Sequence, residues 1–333
     1  RRTTMLKTQS KLTKMAFALG AGAIMVTMPL LSQAAWEPIK PVEFVVMAGK
    51  GGGADKAVRL LQSIIASEKM ASVPFTPVNK PGGSGAEALI HMKGKEGDDH
   101  TIMFTLNSFY TTPLRQPKLG IDISTFTPIA RMAEDTFLLW VHSDRKDINN
   151  MADFAKAAKA KGNKWIMAGT GKNSEDNLLT DFLNKAYDLN MKYVPYKGGG
   201  KVAKELAGKN ADSTVNNPSE QLGFYEAGTT KALASFTDER LPLFPNAPTF
   251  KELGEDYVYY MQRTVVGAPG MSQEASAYYQ ELFKKVFNSK KWQNYRNKKS
   301  LQGDLLQGDA LMSYWKKERD IHEVMLKNMG VIK

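Results

Sequence analysis

The sequence predicts an α/β protein in two lobes, and three observations carry that expectation. Apolar β-branched runs alternate with apolar patterns at helical spacing, which argues for largely parallel sheets. Consecutive glycines repeatedly stand between the end of such a run and the next helical pattern, as at Gly51-Gly52-Gly53 and Gly198-Gly199-Gly200. The strand–helix rhythm also stops and restarts after Ser143-Asp144, and 333 residues suffice for two sizeable cores.

Residues 1–34 are expected to lie outside the fold. Arg1, Arg2, Lys7, Lys11 and Lys14 form a basic start without an acid, and residues 15–31 are mostly apolar. Ser32-Gln33-Ala34 then presents small residues where a signal peptidase reads, so cleavage is expected after Ala34. The alternative is an uncleaved anchor. No later stretch approaches the roughly 18 apolar residues of a spanning helix, so the mature chain is expected to be soluble and exported. The five leader cations taken from the formal charge of +11 leave +6, a mild field that attracts anions but is no nucleic-acid signature. Lys290-Lys291 and Lys298-Lys299 read as solvated helical surface.

Strand one is expected over 43–47 and helix one over 54–68. A strand over 74–78 meets a second glycine turn, Gly82-Gly83-Ser84-Gly85. A helix over 86–92 and a strand over 101–105 follow, the latter ending at Leu106-Asn107-Ser108. Strands are expected over 126–132 and 136–142, the second buried on both faces because it is almost wholly apolar. In the second half, Asn150 is placed to cap a helix over 151–161. Strands at 164–168, 192–196, 212–215 and 231–236 alternate with helices, one of them over 175–187. Asn217-Pro218-Ser219-Glu220 has the form of a helix start, with cap, proline and a glutamate able to reach back. A strand over 259–267 returns to the first lobe, and the rest is expected to be helical to Met329, with Gly330 as terminal cap. This gives lobe one as 35–142 and 264–333, lobe two as 143–263, and crossovers near 142 and 263.

Ligands of open α/β sheets sit outside the carboxyl ends of strands. The turns at 49–55, 107–108, 169–174 and 216–217 lie at such ends. Gly51-Gly52-Gly53 opening a helix lets backbone N–H groups and the helix dipole face an anion, such as a carboxylate or phosphate; a plain tight turn is the alternative. Asp55 either bonds the loop's own N–H groups or meets a hydroxyl or cation of a ligand. Lys50, Lys172 and Lys197 stand in or beside these loops, either donating to a carboxylate or solvated.

Other chemistries fit less well. The turn at 49–54 spells GxGxxA, but strand two closes on Val78-Asn79-Lys80 rather than on the acid a dinucleotide site needs, and no cofactor is expected. Gly169-Thr170-Gly171-Lys172-Asn173 lacks the first glycine and the Ser/Thr of a phosphate loop. Gly82-Gly83-Ser84-Gly85-Ala86 nearly spells a nucleophile elbow, which leaves an exported serine hydrolase with Ser84 as nucleophile as the second reading. The sequence has no cysteine, which excludes thiolate chemistry, and His91, His100, His142 and His322 show no metal-ligand spacing. Phe109, Tyr110, Trp140 and Tyr196 either line an aromatic-acid pocket or belong to the core.

Taken together, the leader and four ordered motifs resemble the Bug family, periplasmic solute receptors of tripartite tricarboxylate transporters. The motifs are Gly51-Gly52-Gly53-Ala54-Asp55 with Arg59, residues 78–85, Tyr193-Val194-Pro195-Tyr196-Lys197-Gly198, and residues 244–254. The resemblance spans essentially the mature chain. It implies a periplasmic-binding-protein fold with two crossover strands and a cleft, a monomer without enzymatic activity, and delivery of a small organic carboxylate to a membrane permease. The ligand is expected to be a dicarboxylate, and no nucleic acid or metal is expected. Ligand contact is carried onto Gly53, Ala54 and Asp55, onto Asn107 and Ser108, and onto Thr170, Gly171 and Asn173 from the facing lobe. With the loop residues Lys50, Gly52, Lys197 and Asn217, these form the expected site. Gly49-Lys50 departs from the prolines or small residues common in the family, and the 169–173 loop is more basic than usual.

Overall fold

The computed structural model describes residues 36–333; the leader and its cleavage point lie outside the described residues. The chain opens with β1 (Val42–Val46), α1 (Gly53–Ser67), β2 (Phe75–Asn79), α2 (Ala86–Lys93), β3 (Thr101–Thr105), α3 (Ser108–Arg115) and β4 (Thr127–Thr136). It continues with β5 (Leu138–His142), α4 (Met151–Lys161), β6 (Ile166–Thr170), α5 (Glu175–Ala186), β7 (Lys192–Tyr196), α6 (Gly199–Ala207), β8 (Ser213–Asn216), α7 (Pro218–Glu226) and β9 (Thr230–Ser235). β10 (Tyr260–Gly267), α8 (Gln273–Asn288), α9 (Lys290–Lys298) and α10 (Gly308–Asn328) complete it.

Two five-stranded sheets form, ordered β2-β1-β3-β10-β4 and β7-β6-β8-β5-β9. Their topologies are the same. In each, three parallel strands are joined by one strand that runs antiparallel to both its neighbours. That antiparallel strand is the one just delivered from the other sheet: β5 follows β4, and β10 follows β9. Four of the five strands in each sheet thus run the same way, so the sheets are largely parallel as expected, each with one antiparallel strand. The first passage falls at Phe137 rather than after residue 142, because the all-buried Leu138-Leu139-Trp140-Val141 pairs with β8 and β9. The two passages run side by side: Phe236 N–H donates to the Phe137 carbonyl at 3.0 Å, and Tyr259 N–H to the Phe236 carbonyl at 2.8 Å.

The first sheet is covered on one face by α1, α8 and α9, and on the other by α2, α3 and α10. α1 turns Ala54, Ala57, Val58, Leu61, Ile64 and Ile65 inward, the spacing that predicted it. Phe44 makes edge contacts with Phe75, Phe104 and Phe283, and burying each such ring contributes about 1.5–3 kcal/mol. The second sheet is covered by α4 and α5 on one face and by α6 and α7 on the other. Asn150 caps α4 as expected, accepting from Asp153 N–H at 2.9 Å.

One element lies where no helix was read, and one expectation is corrected. α3 is a helix despite Pro113 and two threonines; its apolar side is fixed by Phe109 packed on Phe126 and Trp315. The C-terminal region is not continuously helical. Residues 299–307 leave α9 and pair with the edge of β4 through bridges Arg131–Leu306 and Glu134–Gln302.

Candidate functional site

The β1–α1 turn and the β7–α6 turn meet across the gap between the sheets. A side-chain carbon on Gly49 would fall 2.5 Å from the Lys197 carbonyl oxygen, and one on Gly200 would fall 2.9 Å from that of Gly51. Backbone cannot yield as a flexible side chain can, so glycine is what lets the two turns touch. Beneath them lies a cavity of about 480 Å³. The first-sheet wall comprises residues 47–49, 52–54 and 81–85, with Glu87, Leu106 and Ser108. Residues 170–171, 174–176 and 195–199, with Asn217 and Glu220, form the opposite wall, and Met261 and Arg263 reach in from β10.

The first wall offers backbone donors at helix starts, and the second wall answers them with carboxyl groups. Gly53 N–H, at the start of α1, donates to Glu220 Oε1 at 2.5 Å, and Ser219 Oγ donates to Glu220 Oε2 at 2.6 Å. Ser108 N–H, at the start of α3, donates to Glu175 Oε1 at 2.9 Å. Asp176 Oδ2 accepts from Thr170 N–H at 2.7 Å and from its hydroxyl at 3.1 Å. All three acids are at least nine-tenths buried. Burial pushes the Asp176 carboxyl up to about 8, with Glu175 and Glu220 adding repulsion against the Thr170 hydrogen bond. Burial also raises Glu175, opposed by Arg115, Arg263 and the Ser108 N–H. Arg263 is paired with the fully buried Asp135, whose carboxyl burial lifts to about 6 against the pull of that guanidinium.

In their ionised form these carboxyls disfavour a further anion. A further carboxylate about 4 Å from Glu175 or Glu220 meets repulsion of roughly 4 kcal/mol at an effective dielectric near 20. One charge-assisted hydrogen bond returns only about 1.5–3 kcal/mol.

Of the residues expected at the site, Gly52, Gly53, Ala54, Ser108, Thr170, Gly171, Lys197 and Asn217 line the cavity. Four do not. Lys50 is exposed beyond the glycine turn. Asp55 is committed to its own loop: its oxygens accept from Gly51 N–H at 2.9 Å, Arg59 Nε at 3.1 Å and Asn79 Nδ2 at 3.0 Å. Burial would raise that carboxyl, but these donors outweigh it and hold it below its ordinary value. Asn107 is fully buried and ties β3 to the returning strand: its amide donates to Tyr259 Oη and the Tyr260 carbonyl and accepts from Gln262 N–H. It also meets His322 Nε2 at 3.3 Å, a ring that burial pushes down to about 4 and so holds neutral. Asn173 takes a positive φ of 54° and bonds Asn177, outside the lining. Phe109, Tyr110 and Trp140 are core, whereas Tyr196 lines the cavity.

The expected helix-start box at 217–220 does not close on itself. Asn217 Nδ2 donates to the Thr136 carbonyl at 2.7 Å, and Glu220 crosses to Gly53. Reading Glu220 and Glu175 as helix-start residues hid their second use. Arg263 left a trace, a lone cation inside the apolar strand Met261-Gln262-Arg263-Thr264-Val265-Val266. Ser84 Oγ donates to the Lys172 carbonyl at 3.3 Å, and its backbone takes a positive φ of 54°. Among the described residues each histidine bonds elsewhere: His91 to Glu43, His100 to Ile39 N–H, His142 to Asp144 N–H and His322 to Tyr259.

Residues 60–304 match a family described as tripartite tricarboxylate transporter family receptor. A Cupriavidus necator relative, the UPF0065 protein in the gbd 5' region, is 26% identical over 279 residues, covering 84% of this chain and 82% of that one. The structure of periplasmic binding protein BugD superposes with a TM-score of 0.81 at 22% identity, covering 89% of this chain and 99% of that one. An R. palustris protein solved with adipate gives a TM-score of 0.79 at 23% identity, covering 88% and 98% respectively.

Proposed function

We propose a function from this premise: the chain belongs to the tripartite tricarboxylate transporter receptor family, and is thus a solute-binding receptor with a periplasmic-binding-protein fold. It captures a small organic carboxylate in the cavity between its two sheets and hands it to the membrane subunits of the transporter. It acts as a monomer in the periplasm after removal of residues 1–34. Residues 36–136 with 260–333, and residues 138–259, act as two lobes that swing about the paired passages at Phe137, Phe236 and Tyr259. Among the described residues no helix is long and apolar enough to cross a membrane.

One observation carries the reading. The first N–H of α1 already holds a carboxylate oxygen, that of Glu220, at the cavity wall. The anion-binding capacity of that helix start is thus in use, and a ligand carboxylate entering the open cleft takes it over. The adjoining N–H of Ala54 heads the same turn and supplies a second donor. Closure over the ligand then removes water and strengthens each of these bonds. The R. palustris neighbour's adipate, a dicarboxylate, supports the same ligand class. The chain performs no chemistry on its ligand; the Ser84 hydroxyl, bonded to a carbonyl, supports a loop-bridging role instead.

The test is a thermal-shift and calorimetric screen of the mature chain against mono-, di- and tricarboxylates and aromatic acids. At a hundredfold excess over Kd, binding adds about 2.7 kcal/mol, a rise in Tm of roughly 5 °C. No saturable rise with any acid, or turnover of ester substrates that Ser84→Ala abolishes, overturns the proposal.

A further inference from the structure

We propose that Glu175 and Glu220 set the receptor's ligand preference, and that the ligand it selects carries a protonated nitrogen as well as a carboxylate. The inference rests on the receptor reading and names its ligand class more narrowly.

The interior charge of the cavity is the first support. Arg263, the cation reaching in from β10, is hydrogen-bonded to Asp135 behind the wall, and its one charge is shared with Glu220 and Glu175. Lys197 is exposed at the rim, as is Glu87, which accepts from Gly82 N–H. Three carboxyls lie within, Glu175, Asp176 and Glu220, each at least nine-tenths buried; Asp176 is taken up by the Thr170 N–H and hydroxyl, which leaves Glu175 and Glu220 resting on the donors of the facing wall. A dianion closed into this space would add its second charge to two like charges. A protonated amine instead supplies the counter-charge that buried carboxylates require.

The second support is where the two acids sit. They enter from the second sheet, on the first turns of α5 and α7, and their oxygens rest on the Gly53 and Ser108 N–H groups of the first. The Gly53 N–H is the donor that the proposed ligand carboxylate takes. When it takes Gly53 N–H, Glu220 is released with its charge still inside the cavity that Glu175 also lines. A ligand ammonium satisfies the displaced Glu220 and the buried Glu175 while the ligand's own carboxylate stays on the α1 turn. Charge is then balanced at both ends of the bound molecule, with no change in the fold of either wall.

Matched ligand pairs test this: succinate with aspartate, glutarate with glutamate, adipate with 2-aminoadipate, and butyrate with 4-aminobutyrate. Calorimetry on the wild-type chain is expected to give, in at least one pair, tenfold or tighter binding of the aminated member. Glu175→Gln and Glu220→Gln keep the shape and the hydrogen-bond acceptor but remove the charge, so each is expected to cut that preference at least fivefold. Thermal unfolding of each variant without ligand confirms that it is folded. Should Glu220→Gln fail to fold, Glu175→Gln alone decides the matter. Tighter binding of the plain acids, or a preference unmoved by both substitutions, overturns the inference and leaves the receptor reading intact. Failure of every acid, aminated or not, overturns both.

Discussion

The two walls of the cavity are cut from the same architecture yet present opposite chemistry. Sheets β2-β1-β3-β10-β4 and β7-β6-β8-β5-β9 repeat one topology, and each places helix starts at the cleft. On the first wall those starts are Gly53 and Ser108, which offer N–H groups, while the Asp55 carboxylate of the α1 turn is spent on its own loop. On the second they carry Glu175, Asp176 and Glu220. The fold supplies the position of each helix start, and the residues of its first turn supply the charge. Donors on one side and acceptors on the other suit a ligand with two unlike ends.

Four substitutions probe that division, beginning with the largest effect. Arg263→Met leaves Asp135 buried without its partner, and breaking a buried pair costs about 3–5 kcal/mol. Chemical denaturation should register that loss, and an unchanged midpoint would remove the pair from the wall's support. Gly49→Ala drives a methyl into the Lys197 carbonyl and should hold the turns apart. Ligand affinity is expected to fall about thirtyfold, equivalent to roughly 2 kcal/mol, and small-angle scattering with ligand should keep the larger radius; full closure would show that the turns need not touch.

Asp176→Asn sharpens the electrostatic side. A carboxyl whose folded value is raised from 3.8 to about 8 contributes its stability fully below pH 4, and loses it as pH rises toward 8. The variant should therefore match wild type near pH 4 and exceed it by roughly 1 kcal/mol or more at pH 8. Taking the difference cancels His322, which acts oppositely: held at about 4, it favours the fold increasingly as pH rises from 4 to 6.5. A difference that is flat with pH would refute the burial argument. Lys50→Ala is the smallest case. The side chain lies outside the cavity lining, so calorimetry should show affinity unchanged within about 0.5 kcal/mol.

Much of the fold was legible because its signals are local. The inward stripe of α1 and the β-branched run of β1 are periodicities within fifteen residues, and the glycine turn between them reports its own backbone needs. Strand neighbours were not legible. That β5 belongs beside β8 depends on pairing across more than seventy residues, which no window of sequence contains. The candidate site divides the same way. Gly53 and Thr170 could be read from their turns, whereas Glu220 acts on a residue 167 positions away. Its place in a good helix start supplied a sufficient local explanation and concealed the distant one. Asn107 erred in the opposite sense: a polar residue at a strand end reads as ligand contact, yet its amide is consumed by Tyr259, Tyr260 and Gln262.

We propose that the N–H groups opening α1 receive the ligand's carboxylate. A crystal structure of the mature chain with the tightest-binding acid from the screen tests it most directly. The account predicts a ligand carboxylate within hydrogen-bond distance of Gly53 or Ala54 N–H, with the Glu220 carboxylate moved off Gly53. An acid lodged elsewhere on the molecule, with Glu220 still seated on Gly53, would contradict it.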